Sequence, residues 1–163
     1  MNQLVMTRQK KLTLTAVFVA ACVILSPFAI PLGSVRLYPM QALCNVVLAV
    51  FLGTRYNVSA AFCTSYLRNA LALGSPLAFP GSMVGAFLSG LVYRYTKVIW
   101  LTALAEIIGT GLIGAAFAYP LMVLVFGKAL ALMTLVLSFT ASSAAGAVLG
   151  ALLLYMLKAR KYK

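Results

Sequence analysis

Apolar residues along this chain gather into six long runs, near Leu12 to Ile30, Met40 to Gly53, Val58 to Leu73, Met83 to Tyr93, Val98 to Phe126 and Ala129 to Leu157. None alternates with period two, so the pattern predicts helices rather than half-buried strands. A membrane-crossing helix needs about 20 apolar residues. The second and fourth runs fall short of that and are expected to extend into their flanks, whereas the fifth and sixth are long enough to tilt. The expected fold class is therefore all-α: one polytopic bundle of six transmembrane helices, a single domain over residues 1–163, with a basic start at 1–11 and a basic tail at 158–163.

The pattern is broken most sharply between Arg68 and Arg94, RNALALGSPLAFPGSMVGAFLSGLVYR. A cation and an amide enter an apolar run, Pro76 and Pro80-Gly81 interrupt it, and small residues then return at helical spacing. In a bilayer these are buried polar groups, a loop, and a helix made for close packing.

Composition fixes the solvent. Hydrophobic residues make up 64% of the chain and charged residues 9%, against about a quarter charged in soluble domains. Thirteen basic residues against one acid would point to nucleic acid in a polar chain, but here the positives sit at the ends of apolar runs and form no stripe. No nucleic-acid partner is expected; the partner of the surface is the lipid bilayer.

With the N-terminus inside, the cytoplasmic side collects Arg8, Lys10, Lys11, Arg55, Arg94, Lys97, Lys158, Arg160, Lys161 and Lys163, while Arg36 and Lys128 fall outside and Arg68 lies within a span. That asymmetry places both termini in the cytoplasm of a multi-pass cell-membrane protein, with the Arg36 and Pro76 to Gly81 loops facing outward.

Several motif matches carry little. Gly109-Thr110-Gly111-Leu112-Ile113-Gly114 fits a dinucleotide fingerprint, which has meaning only between a strand and a soluble helix; inside a span it reads as a packing face. Gly81 to Gly85 and Gly146 to Gly150 read the same way. Asn57-Val58-Ser59 fits a glycosylation acceptor but falls on the cytoplasmic side, and Val19-Ala20-Ala21-Cys22 imitates a lipoprotein cleavage site. Cys22, Cys44 and Cys63 lack metal-ligand spacing and read as small core residues. Ala16 and Ala20 form a small-xxx-small face on the first helix, whose partner lies either in this chain or in another.

Polar groups inside the spans are the candidate site, because each is costly in hydrocarbon unless paired or wet. Arg68 and Glu106 lie at depths that let the arginine reach the carboxylate, either as a structural ion pair or as the floor of a ligand pocket. Asn45 and Asn69 are expected one to two turns below the outer surface, where an amide can serve a heteroaromatic ring. Tyr38, Gln41, Tyr66, Phe79 and Ser82 complete the expected pocket and its aromatic lid. Thr134, Ser138 and Ser142 share a face by i, i+4 spacing and read as interhelical hydrogen bonds. One carboxylate and no histidine leave no general acid–base pair or metal site. No GxxxxGK[ST] loop occurs, so this chain does not bind ATP in that manner.

The Arg68 to Arg94 stretch, above all AFPGSMVGA, together with LYPMQALCNVVLAVFLG before it and AVFVA in the first helix, resembles the substrate-binding S components of energy-coupling factor (ECF) transporters, and among them the ThiW family. The resemblance implies a binding subunit, not an enzyme, that takes a thiamine precursor, the hydroxyethylthiazole moiety, from outside. It also implies partners: an ECF transmembrane protein that docks on Ala16 and Ala20, and two ATPase subunits that use ATP, with no cofactor in this chain. One position departs from the family pattern, Ala42, where a histidine often follows the glutamine. S components for the thiamine pyrimidine, thiamine or another small vitamin share the fold, and a small autonomous transporter is the rival class.

Overall fold

The computed structural model describes residues 7–27, 30–32, 35–127 and 132–160. Lys128, Lys161 and Lys163, which entered the charge asymmetry, lie outside these, as do the first six residues. Seven α-helices and one π-helical turn form six rods: α1 (Arg8–Ile24), α2 (Pro39–Phe51), α3 (Thr54–Ala70), α4 (Ala78–Thr96), a fifth made of α5 (Ile99–Ile108), the π turn Gly109–Gly114 and α6 (Ala115–Phe126), and α7 (Leu132–Arg160). The short fourth run extends into its flanks, as expected, but the second does not: α2 starts one residue before Met40 and stops two before Gly53. The first run also ends early: α1 stops at Ile24, and Ile30 begins a small antiparallel hairpin of β1 (Ile30–Leu32) and β2 (Val35–Leu37). This hairpin, absent from the sequence-based expectation, is the one departure from an all-helical fold among the described residues.

Two rods, Ile99–Leu124 and Leu132–Ala159, are long and apolar enough to cross a membrane by themselves. At 13 residues α2 measures about 20 Å, well under the hydrocarbon thickness. Its place is at the centre of the bundle. It packs against α1, α3, α4, α5 and α7, and Val46, Val47, Leu48, Ala49 and Val50 are all buried. Apart from Gln41 and Asn45 the helix is apolar, as such a buried position requires. Val46, Val47 and Val50 join Tyr93, Ile99, Ala103, Ala147, Ala151 and Leu154 in the main core cluster.

Glycine decides how closely the rods approach, because helix association in lipid depends on backbone contact more than on apolar burial. A Cβ added at Gly109 would stand 2.8 Å from the Cα of Gly85, and one at Gly111 would stand 2.9 Å from the Cα of Thr140. The GTGLIG run is therefore the surface that α4 and α7 close upon. Its wider π winding matches that role, since the sequence there is glycine-rich and the turn sits beside the cavity described below. Cys22 on α1 and Cys44 on α2, both buried, meet sulfur to sulfur, which ties the two helices beyond the simple core packing expected of them. Cys63 is exposed.

The chain leaves α3 through a strained residue. Ala72 has φ 55, a left-handed conformation that costs a residue with a Cβ about 1–2 kcal/mol. Ala72→Gly is expected to raise stability by about 0.5–1 kcal/mol, the strain relief less the larger unfolded-state entropy of glycine, as read from thermal unfolding in detergent.

Candidate binding cavity

A cavity of about 370 Å³ opens between α2, α3, α4, the π turn and α7 at the hairpin end of the bundle. Its volume lies in the range of small-ligand pockets. The wall is built from Tyr38, Gln41, Ala42 and Asn45 on and before α2, and from Arg68 at the end of α3. The 72–78 loop and the first turns of α4 add Gly74, Ser75, Gly81 and Ser82, and the far side is closed by Glu106, Thr110 and the Ser138, Phe139, Ser142 and Ser143 seam of α7. Helical periodicity explains the seams. Gln41 and Asn45 are one turn apart on α2, and Ser138 and Ser142 are one turn apart on α7, so each pair faces the same way.

A continuous hydrogen-bonded chain runs along this wall. Arg68 Nη1 donates to Gln41 Oε1 at 2.7 Å, Gln41 Nε2 donates to Ser65 Oγ at 3.0 Å, and the Ser65 and Ser82 hydroxyls share a bond of 2.9 Å. Asn45 Nδ2 then donates to the Ser82 carbonyl at 3.3 Å and to Glu106 Oε1 at 2.9 Å. Thr110 Oγ1 lies 2.9 Å from the same carboxylate oxygen. All of Asn45, Ser65, Arg68, Ser82 and Glu106 are buried. Such a network rigidifies a cavity because each member fixes the rotamer of the next.

Arg68 and Glu106 thus stand at opposite ends of the chain. No ion pair joins them, contrary to the expectation from depth alone: the carboxylate is held by Asn45 and Thr110, and the guanidinium by Gln41 and the face of Tyr38, 5.1 Å away. Two polar atoms of the pair, Arg68 Nε and Glu106 Oε2, have no hydrogen-bond partner. Ser89 stands near the carboxyl, but its hydroxyl is directed to the Ala86 carbonyl at 3.3 Å.

Of the expected site residues, Tyr38, Gln41, Asn45, Arg68, Ser82 and Glu106 line the cavity, and Tyr66, Asn69 and Phe79 do not. Tyr66 is exposed and stacks on Phe62, which also packs edge-on to Phe79. These rings form an aromatic patch on the outside of α3 rather than a lid. Asn69 has an indirect place: its Nδ2 donates to the carbonyls of Ser65 and Ser75, at 2.9 and 3.3 Å. Ser75 in turn shapes the turn ahead of α4, its Oγ accepting from the Leu77 N–H at 3.2 Å. Asn69 therefore pins the loop that the cavity uses as a wall.

Sequence reasoning missed Ser65, Thr110 and the α7 seam. Ser142 Oγ accepts from the Tyr38 N–H at 2.8 Å, but Ser138 Oγ donates to the Thr134 carbonyl of its own helix at 2.7 Å rather than across helices, and both serines border the cavity. The available signal was the i, i+4 spacing of Ser138 and Ser142, and Ser65 lies one turn before Arg68 and Asn69. Ala16 and Ala20 are exposed on α1, whose packing is against α3 and α2.

The fold and the cavity together define a class, a helical membrane protein with a small, partly open pocket between its helices whose mainly apolar surface carries a few polar groups. The family model described as thiamine-precursor transporter protein (ThiW) matches residues 12–160. This chain belongs to that family, as the AFPGSMVGA segment suggested. No curated protein and no solved structure matches it.

Proposed function

We propose that this chain is the substrate-binding S component of an ECF-type importer and that the cavity takes up the thiazole moiety of thiamine, hydroxyethylthiazole, as a thiamine precursor. The carrying observation is the hydrogen-bonded chain from Arg68 to Glu106 along one wall of a single small cavity. It offers donors and acceptors to a heterocycle while apolar surfaces of Ala42, Leu77 and Phe139 receive the ring. In this reading six spans cross the cell membrane with both termini cytoplasmic, and the hairpin end and the 72–78 loop face outward. ATP is consumed by two partner ATPases through an ECF transmembrane subunit, and the chain itself carries no cofactor. The exposed Ala16 and Ala20 support docking of that subunit on α1, because small side chains allow a second helix to reach backbone contact.

Calorimetry of the purified chain against hydroxyethylthiazole, the thiamine pyrimidine and thiamine tests the ligand; saturable binding of the pyrimidine alone overturns the assignment. In proteoliposomes the chain alone is expected to bind without accumulating ligand, and gradient-driven uptake would mark an autonomous transporter instead. Ala16→Trp is expected to leave calorimetric affinity unchanged and to reduce uptake in cells carrying the partner subunits by more than about tenfold, since an indole on a backbone-contact face holds the helices apart. Unchanged uptake would remove α1 as the docking helix.

A further inference from the structure

We infer that the ligand this cavity is built for carries an acidic group, a phosphate monoester or a carboxylate, which docks on Arg68 between the first turns of α2 and α4. The inference rests on reading the cavity as the thiamine-precursor site and adds to it the charge of the ligand.

Its basis is a buried cation without a counter-charge. Arg68 is 5% exposed, lines the cavity, and donates through Nη1 to the neutral Oε1 of Gln41. Its Nε has no partner. The chain has one acid, and that acid, Glu106, is engaged by Asn45 and Thr110 at the other end of the polar chain. The Tyr38 ring offers only a π face, a weaker partner than an anion. A guanidinium matches the planar or tetrahedral oxygens of a carboxylate or phosphate in geometry, and this one lines the cavity with no charged partner in the wall.

The backbone adds to the same field. α2 begins at Pro39 and α4 at Ala78, and the residues around both starts, Tyr38, Gln41, Leu77 and Ala78, line the cavity. Each helix N-terminus presents roughly half a positive charge. The opposing contribution comes from α3, because Arg68 lies in its last turn. Two N-termini against one C-terminus leave this end of the cavity favourable to an anion. A neutral alcohol would satisfy hydrogen bonds there but would leave the arginine's charge uncompensated, whereas an acidic group answers both.

The test uses the full-length purified protein and four probes: hydroxyethylthiazole, its phosphate monoester, the corresponding thiazole carboxylic acid, and inorganic phosphate alone. At least one acidic thiazole is expected to bind about tenfold or more tightly than the alcohol, the margin by which charge-assisted hydrogen bonds exceed neutral ones. Arg68→Gln should shrink that advantage to about twofold or less, whatever it does to the affinity of the alcohol itself. Equal or tighter binding of the alcohol by the wild type overturns the inference and leaves the thiazole assignment standing, as does an advantage that survives Arg68→Gln. Inorganic phosphate binding as tightly as the monoester would mean an adventitious ion only, and overturns it as well. Failure of every thiazole to bind removes the assignment and the inference together. Should Arg68→Gln not fold, the wild-type ranking decides alone.

Discussion

Gly146→Val is expected to abolish ligand binding and to lower stability by about 3 kcal/mol, the upper end for overpacking, because it forces α7 away from α2. The hydrogen of Gly146 is all that fits against the start of α2. A Cβ there would overlap the Pro39 carbonyl oxygen and stand 2.9 Å from the Ala42 Cβ. The carbonyl belongs to the backbone of a central helix and cannot rotate aside as a side chain would. Separating the two helices also moves Ala42 and Ser142, which both line the cavity, so binding fails even where the chain still folds. Thermal unfolding in detergent and calorimetry with the thiazole ligand report the two effects separately. Val148→Ala, at a 40% exposed position two residues along the same helix, is the control and should change stability by less than about 1 kcal/mol. A valine at 146 that leaves melting unchanged would mean the α2–α7 contact is looser than the structure has it.

Asn45→Leu is the second large effect, a loss of roughly 10- to 150-fold in ligand affinity, equivalent to about 1.5–3 kcal/mol for a hydrogen bond to a charged group. Asn45 links α2, α4 and α5 through polar contacts, donating to the Ser82 carbonyl and to Glu106 Oε1. Leucine has similar bulk, so the cavity keeps its volume while the carboxyl loses one of its two donors. The other oxygen, Oε2, already lacks a partner. Asn45→Ala removes the same bonds but opens space for water in a polar cavity, and water recovers part of the lost hydrogen bonding. The expected order of affinity is wild type, then alanine, then leucine. An alanine variant weaker than the leucine variant would show that packing, not hydrogen bonding, is what Asn45 supplies.

Part of the site was legible because sequence spacing records which residues share a helix face. Gln41 and Asn45, and Ser65 and Arg68, fall one turn apart, and both pairs meet in the polar chain. The same rule shows why Tyr66 was misplaced. Two residues from Arg68 on a helix is about 200° around the axis, so it faces away, and Tyr66 is exposed on the outside of α3. Asn69, one residue from Arg68, turns about 100° and reaches the loop instead. The proposed Arg68 to Glu106 contact failed for a related reason: depth along two helices was read, but the directions in which the two side chains leave their axes were not.

The sequence by itself determined that this is a helical membrane protein, that its glycine runs are contact faces rather than nucleotide motifs, and that Tyr38, Gln41, Asn45, Arg68, Ser82 and Glu106 belong to the cavity. Those properties follow from composition and from periodicity along one segment at a time. Only the tertiary structure decided that Arg68 and Glu106 stand apart, that a hairpin follows α1, that α7 closes the cavity with Ser138 and Ser142, and that Asn69 holds a loop. Each of these depends on the rotation of one helix about its axis relative to another. That rotation is set by which small residues let two backbones meet, as at Gly85 with Gly109 and at Gly146 with Pro39, a property of pairs of segments that no single segment contains.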